Sequence, residues 1–367
     1  SPSYYQPRLS LGVSSFPPGL YCPQRQGYMT LFKEIPLSDK DYFRAVILYG
    51  ANVASYKFAL AESIIGIAAE GKDFAKLTDL ALPFSDALCR HLEIQDKQAT
   101  SRTSRFLDML RGFNRGEIDI DEKIDSTVRL GFVNVIDAFH VVHAKEIPIR
   151  FFHDERKSPQ PGIRLTDELL EMAADIENKD LLKETESRWR LVETAWRYNM
   201  PRRLITVDYD KGLESFFVTD SKERRHSVTN ARYALNGYQR GKCFYCNRQV
   251  HLEDWRLLEQ RGEVDHFFPH ILQRNGELDV DLDQAWNLVL ACNKCNGSGG
   301  KRDHCPDRSY VEDLHHRNEN LIMSHHPLRE SMIVRTGEAP SDRRTFLNGC
   351  SAIAKRSLIH SWKTDRL

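Results

Sequence analysis

Three short segments carry most of the information in this chain: Cys243-Phe-Tyr-Cys246, Glu263-Val-Asp265-His266-Phe-Phe-Pro269-His270, and Trp286-Asn287-Leu-Val-Leu-Ala-Cys292-Asn-Lys-Cys295-Asn296. The two Cys-x2-Cys pairs have the spacing of two metal knuckles. Together they supply four thiolates, the complete tetrahedral set of one structural zinc ion with no position left open. A module of about 60 residues has a small core, so such a staple is physically useful. Four buried free thiols are the alternative, but two pairs of matching spacing rarely coincide.

Between the knuckles, residues 263–268 are expected to form a strand paired with residues 285–290, and Pro269 is consistent with the first strand ending there. Adjacent strand residues point to opposite faces, so Asp265 and His266 reach one site only where the strand is bent or irregular. Next to a proposed metal staple, an Asp-His pair reads as a metal-binding carboxylate beside a general base. The glycines at 297, 299 and 300 disfavour a continuing helix, so a helix after Cys292 is expected to last a single turn.

Outward from this stretch the chain changes character. Residues 1–40 are irregular and proline-containing, and lack the apolar core of a cleavable signal sequence. From 40 to 145 apolar residues recur at helical spacing, as in Val53, Tyr56, Leu60, Ile64 and Ile67, with Gly71 and Gly116 as helix stops. Ile149–His153 and Ile163–Leu165 flank a Pro/Gly-rich segment and predict a hairpin. Thr166 is placed as the cap of a following helix, and residues 179–198 as another, with Leu182, Trp189, Val192 and Trp196 inward. Arg188, Arg190 and Arg197 lie near Glu184, Glu186 and Glu193, the pattern of a salt-bridged, solvated face. Two strands are expected around Asp210-Lys-Gly212.

The length of 367 residues suggests two or three domains. No run of 18 apolar residues exists, which argues against a membrane helix. Eight cysteines without a secretion signal point to metal binding in a reducing, cytoplasmic setting rather than to a disulfide scaffold. The 52 basic and 52 acidic side chains cancel, which superficially argues against a nucleic-acid binder. The sum conceals two unlike parts: residues 221–367 carry 23 Lys and Arg against 19 Asp and Glu, and residues 1–220 carry 29 against 33. Weak overall charge then argues only against strong non-specific binding by the whole chain, so any action on nucleic acid is expected to be slight unless the chain is recruited or assembled.

The series Cys-x2-Cys, Asp-His-x2-Pro, Asn-Leu, Cys-x2-Cys-Asn resembles the HNH endonucleases with a zinc-stapled ββα-metal (His-Me finger) core. The resemblance covers about 60 residues and implies an HNH nuclease module (221–310); with the helical periodicity before it, the chain is expected to be α+β, with a mainly helical N-terminal region with short strands (1–220) for recognition or partner binding and a helical C-terminal extension (311–367). It implies that His266 activates water, that Asp265 and Asn296 bind a catalytic Mg²⁺ or Mn²⁺, and that Asn287 holds the loop that orients the histidine. Cys243, Cys246, Cys292 and Cys295 would hold the zinc. His270, Lys301 and Arg302 are candidate phosphate contacts, and Asp303 or His304 could supplement Asn296. The implied activity is phosphodiester hydrolysis in DNA, as the effector of a bacterial defence or restriction system, with a larger protein partner such as an ATPase or sensor subunit. An RNA substrate and a non-catalytic zinc module that binds nucleic acid or protein are the alternatives. Ser324-His325-His326-Pro327 and Arg224-Arg225-His226 are weaker candidates for metal and phosphate contacts.

Overall fold

The computed structural model describes residues 38–49, 54–101, 103–142, 145–174, 178–197, 207–219, 225–253, 257–323 and 328–366. Residues 324–327 and Arg224, with the side chains of Arg197, Arg225 and His226, lie outside the described set, and so do the expectations placed on them.

The chain is mixed helix and strand. Its first part runs α1 (Asp39–Tyr49), α2 (Tyr56–Ala69), β1 (Phe74–Lys76), α3 (Leu77–Ile94), α4 (Arg105–Asn114), α5 (Ile120–Ser126), α6 (Val135–Ala138), β2 (Val141–Val142), β3 (Lys145–Glu146), β4 (Phe152–Asp154), β5 (Gly162–Leu165), α7 (Asp167–Ala174) and α8 (Asn178–Arg197). Ser104 and Asp119 cap α4 and α5 by accepting the amides of Leu107 and Glu122, which satisfies donors that have no intrahelical partner. Gly71 and Gly116 follow helices with φ of 76° and 75°, the left-handed conformation that lets a helix stop at low cost. The hairpin expected between 149 and 165 is β4 paired antiparallel with β5, and β1 adds to β5 as a third strand. Thr166 precedes α7 as expected, but its hydroxyl donates to the Arg150 carbonyl and so ties α7 to the loop before β4. A core led by Phe43, Phe58, Ile64, Leu80, Phe84, Phe139, Phe151 and Trp189 unites these elements.

The second part runs β6 (Val207–Asp210), β7 (Ser215–Thr219), β8 (Arg225–Asn230), α9 (Ala231–Asn236), β9 (Gly262–His266), α10 (Ile271–Arg274), β10 (Leu288–Cys292), α11 (Asn293–Asn296), β11 (Cys305–Pro306), α12 (Ser309–Met323), α13 (Leu328–Thr336), α14 (Pro340–Ser357) and β12 (Ser361–Trp362). The two strands expected around Asp210-Lys-Gly212 pair as β6 and β7, with β8 as a third. One core joins Tyr245, Phe267, Trp286 and Val289 to Tyr310, Leu314, Leu321 and Leu347, so α12 and α14 are packed into the same unit as the cysteine knuckles.

Helix α8 lies between the two cores and corrects the expectation of a solvated charged face. Glu184, Arg188 and Glu193 are all buried. Arg44 donates to both oxygens of Glu184, and the Asn236 amide donates to one of them at 2.6 Å. Arg188 donates to the Leu48 carbonyl and the Tyr238 hydroxyl. These partners come from helices up to 140 residues away, and local charge spacing is blind to them. Trp189 and Trp196 are core residues, as expected.

Beside α8, Glu62 of α2 is pushed up to about 7, chiefly by burial and then by the nearby Glu186 carboxylate. A carboxyl whose folded value is raised contributes stability below about 4.5 that is lost as pH rises through about 7. Glu62→Gln is therefore expected to raise stability by about 1–3 kcal/mol at pH 8. At pH 4 thermal denaturation should show little difference from the parent.

Candidate functional site

Strands β9 and β10 are antiparallel, with His266 opposite Leu288 and Asp265 opposite Val289. The outer edge of β10 is covered by side-chain and loop groups: the Gln239 amide bonds both the N–H and the carbonyl of Leu290, and the Phe244 N–H donates to the same carbonyl. The first cysteine knuckle is thereby fixed against the strand that leads into the second. Cys243, Cys246, Cys292 and Cys295 are all buried, with their sulfurs within 4.8 Å of one another. The Cys246 and Cys292 sulfurs stand 3.7 Å apart. A tetrahedron with Zn–S bonds of about 2.3 Å has edges of about 3.75 Å, so the cluster could hold a metal ion such as zinc. Contacts among the four thiols push Cys243 and Cys295 up and pull Cys246 and Cys292 down. A dication would satisfy all four as thiolates.

The strand-strand-helix order continues into α11, which is one turn long, as the glycine run predicts. Gly300 allows a close turn here: a Cβ would lie 2.2 Å from the Cys295 carbonyl oxygen.

Asn287 is fully buried and bonds in three directions. Its side-chain oxygen accepts from the Phe268 N–H at 2.8 Å, and its NH₂ donates to the carbonyls of Phe268 and Leu282 at 3.0 Å each. One amide thus ties the segment after His266 to the segment before Asp283. The C-terminal part braces the same corner: Arg317 donates to the Ala285 carbonyl, and Asn318 to that of Trp286. Burial pulls Arg317 down to about 9.

On one face of β9, His266 Nε2 lies 2.8 Å from Asp283 Oδ1. His270, from the residue before α10, places its Nε2 2.9 Å from the same oxygen and 3.1 Å from His266 Nε2. Burial works to raise Asp283, but hydrogen bonds from the two imidazoles hold it below the ordinary carboxylate value. Asp283 was visible in the sequence only as one of several acids in the 270–284 loop. The signal that could have singled it out is its place four residues before Asn287, on the segment that Asn287 pins.

Asp265 points away from this cluster, in keeping with strand alternation. Its carboxylate accepts from the Tyr245 hydroxyl at 2.6 Å and pairs with Lys301 Nζ at 3.2 Å. Lys301 is fully buried, and its ammonium also donates to the carbonyls of His266 and Arg302. The expectation that Lys301 contacts phosphate is corrected: the side chain is an internal strut. Arg302 is exposed and takes a left-handed φ of 45°. Asn296 and Asn293 both donate to the Glu263 carboxylate. Asp303 is exposed, and the His304 ring stands 5.8 Å from that of His360.

The pair expected to hold Mg²⁺ is therefore engaged elsewhere. The Asp265 carboxylate is already balanced by a buried ammonium and a phenol, and Asn296 presents its NH₂ to Glu263. A hard dication would have to displace Lys301, so this donor set as arranged does not fit one. Lys301→Met should leave Asp265 buried without its charge partner, at a cost of about 3–5 kcal/mol. Denaturant titration checks this; unchanged stability would restore Lys301 as a surface-type residue.

The chain matches no family model, no curated protein and no solved structure. No helix among the described residues is long and apolar enough to cross a membrane.

Proposed function

We propose that the region around β9, β10 and α11 is the reaction centre of an HNH-type endonuclease that hydrolyses phosphodiester bonds in DNA. The observation that carries this reading is the Asn287 clamp: between two cysteine knuckles, one buried amide fixes the segment that follows His266. That is the task the resemblance assigns to this asparagine. His266 ends its strand beside Asp283 and the half-exposed His270. A neutral imidazole there can take a proton from water at neutral pH, while Asp283 fixes the ring. The Mg²⁺ or Mn²⁺ that the resemblance implies would supply charge stabilisation at the phosphate, but it would have to displace Lys301 to reach Asp265. The module's own excess of basic residues is small, so a protein partner such as an ATPase or sensor subunit, in a bacterial defence or restriction setting, would deliver it to DNA.

The pairing of Asp265 with Lys301 favours one rival, a zinc module that binds nucleic acid without cleaving it. The test is incubation of the full chain with supercoiled DNA, single-stranded DNA and RNA, with Mg²⁺ or Mn²⁺. Cleavage of DNA to 5′-phosphate and 3′-hydroxyl ends supports the proposal. Cleavage of RNA alone changes the substrate class, and binding without cleavage favours the rival.

A further inference from the structure

His266, His270 and Asp283 form a cluster distinct from the four cysteines, on the opposite face of β9 from Asp265. Their ligand atoms form a triangle with edges of 2.8, 2.9 and 3.1 Å. Three mutual contacts of this length cannot all be hydrogen bonds. Each Nε2 carries at most one proton, and an ionised carboxylate oxygen carries none. If both imidazoles donate to Asp283, the two N–H groups face each other at 3.1 Å. If one imidazole donates to the other, one of the two contacts to Asp283 opposes lone pair to lone pair. A cation on the triangle satisfies all three atoms at once.

The dimensions suit a first-row transition ion. Metal–ligand bonds of about 2.0–2.1 Å place the ion about 1.1 Å above the plane of the three atoms, and one face of an octahedron with such bonds has edges of about 2.9 Å. Two imidazoles and a carboxylate favour zinc, cobalt or nickel over magnesium and manganese. The ring of Tyr209 lies 6.0 Å from that of His266, and the Tyr209 N–H donates to the Asp283 carbonyl, so a neighbouring strand holds the carboxylate segment in place. The His266 side chain is 9% exposed, whereas those of His270 and Asp283 are 30% and 37% exposed. An ion would be anchored on the buried side and open to water or a ligand on the other.

We infer that His266, His270 and Asp283 bind one divalent transition-metal ion, in exchange with solvent, in addition to the ion of the four cysteines. Binding takes the Nε2 lone pair of His266 and leaves the ring proton on Nδ1, so neither nitrogen can accept a proton from water. Under the proposed function, an ion here therefore withholds the base and silences cleavage; this consequence rests on that reading, whereas the binding does not.

The experiment equilibrates the full chain with excess Zn²⁺, removes free metal by rapid desalting and counts zinc per chain. The parent should hold two ions, and His270→Ala and Asp283→Asn one each, with affinity for the second ion at least ~100-fold weaker. His270 is partly exposed and Asp283→Asn is isosteric, so neither change should unfold the chain; thermal denaturation verifies this. A Co²⁺-loaded parent should show a visible absorption component that both variants lack, beside the thiolate bands that all three share. A single zinc in the parent, or two in both variants, overturns the inference. If DNA is cleaved, Zn²⁺ added beyond the first equivalent should inhibit the parent, and stripping the second ion with a mild chelator should restore the rate; an undiminished rate with two zinc ions bound would overturn the consequence for cleavage. If DNA is not cleaved, the zinc count still decides the metal site on its own.

Discussion

Cys292→Ser is expected to remove the zinc proposed for the four-cysteine cluster and, with it, the fold of the module around His266. Four thiolates close the site, and zinc bound in this way contributes about 10–16 kcal/mol of apparent folding free energy in small modules. The net stability of a whole domain is about 5–15 kcal/mol. Losing one ligand also leaves the buried thiols of Cys243, Cys246 and Cys295 crowded together without a cation. After a mild chelator wash, elemental analysis should find about one zinc per parent chain and none in the variant. The core around Phe58, Phe84 and Trp189 lies apart from the knuckles, so part of the helical circular dichroism should survive. A variant that keeps full stability without metal would show that the thiols are merely buried.

His266→Ala is expected to lower the rate of DNA cleavage by at least ~100-fold, since a positioned general base is worth about 10²–10⁴. The substitution removes the ring but not the strand, whose backbone pairs with Leu288 and whose carbonyl is held by Lys301. Zinc content at the cysteines should therefore be unchanged, which separates a chemical loss from a folding loss. Asn287→Ala should reduce both activity and stability, because it strips partners from two buried backbone segments. Cleavage retained in His266→Ala would refute the assigned chemistry.

Much of this was legible because it is local. Cysteine spacing, glycine stops, the 149–165 hairpin, the strands around Asp210 and the single-turn helix after Cys292 all follow from short-range rules. Strand alternation also anticipated that Asp265 and His266 would face different surroundings. What escaped was long-range. The burial of Glu184 depends on Arg44, 140 residues away, and the burial of Lys301 on a turn that returns it beneath β9. Closely spaced opposite charges on a helix look the same whether solvent or another core faces them. Asp283 escaped for a related reason: only the folding-back of its loop under Asn287 distinguishes it from Glu277, Asp279 and Asp281.

The central claim, that this region hydrolyses phosphodiester bonds, is tested most directly by incubating supercoiled plasmid with the zinc-loaded, chelator-washed full chain and a titrated series of Mg²⁺ or Mn²⁺. The account predicts metal-dependent conversion to nicked and then linear DNA, with 5′-phosphate ends. An intact plasmid at every metal concentration, from a protein that is folded and carries its thiolate zinc, would contradict it.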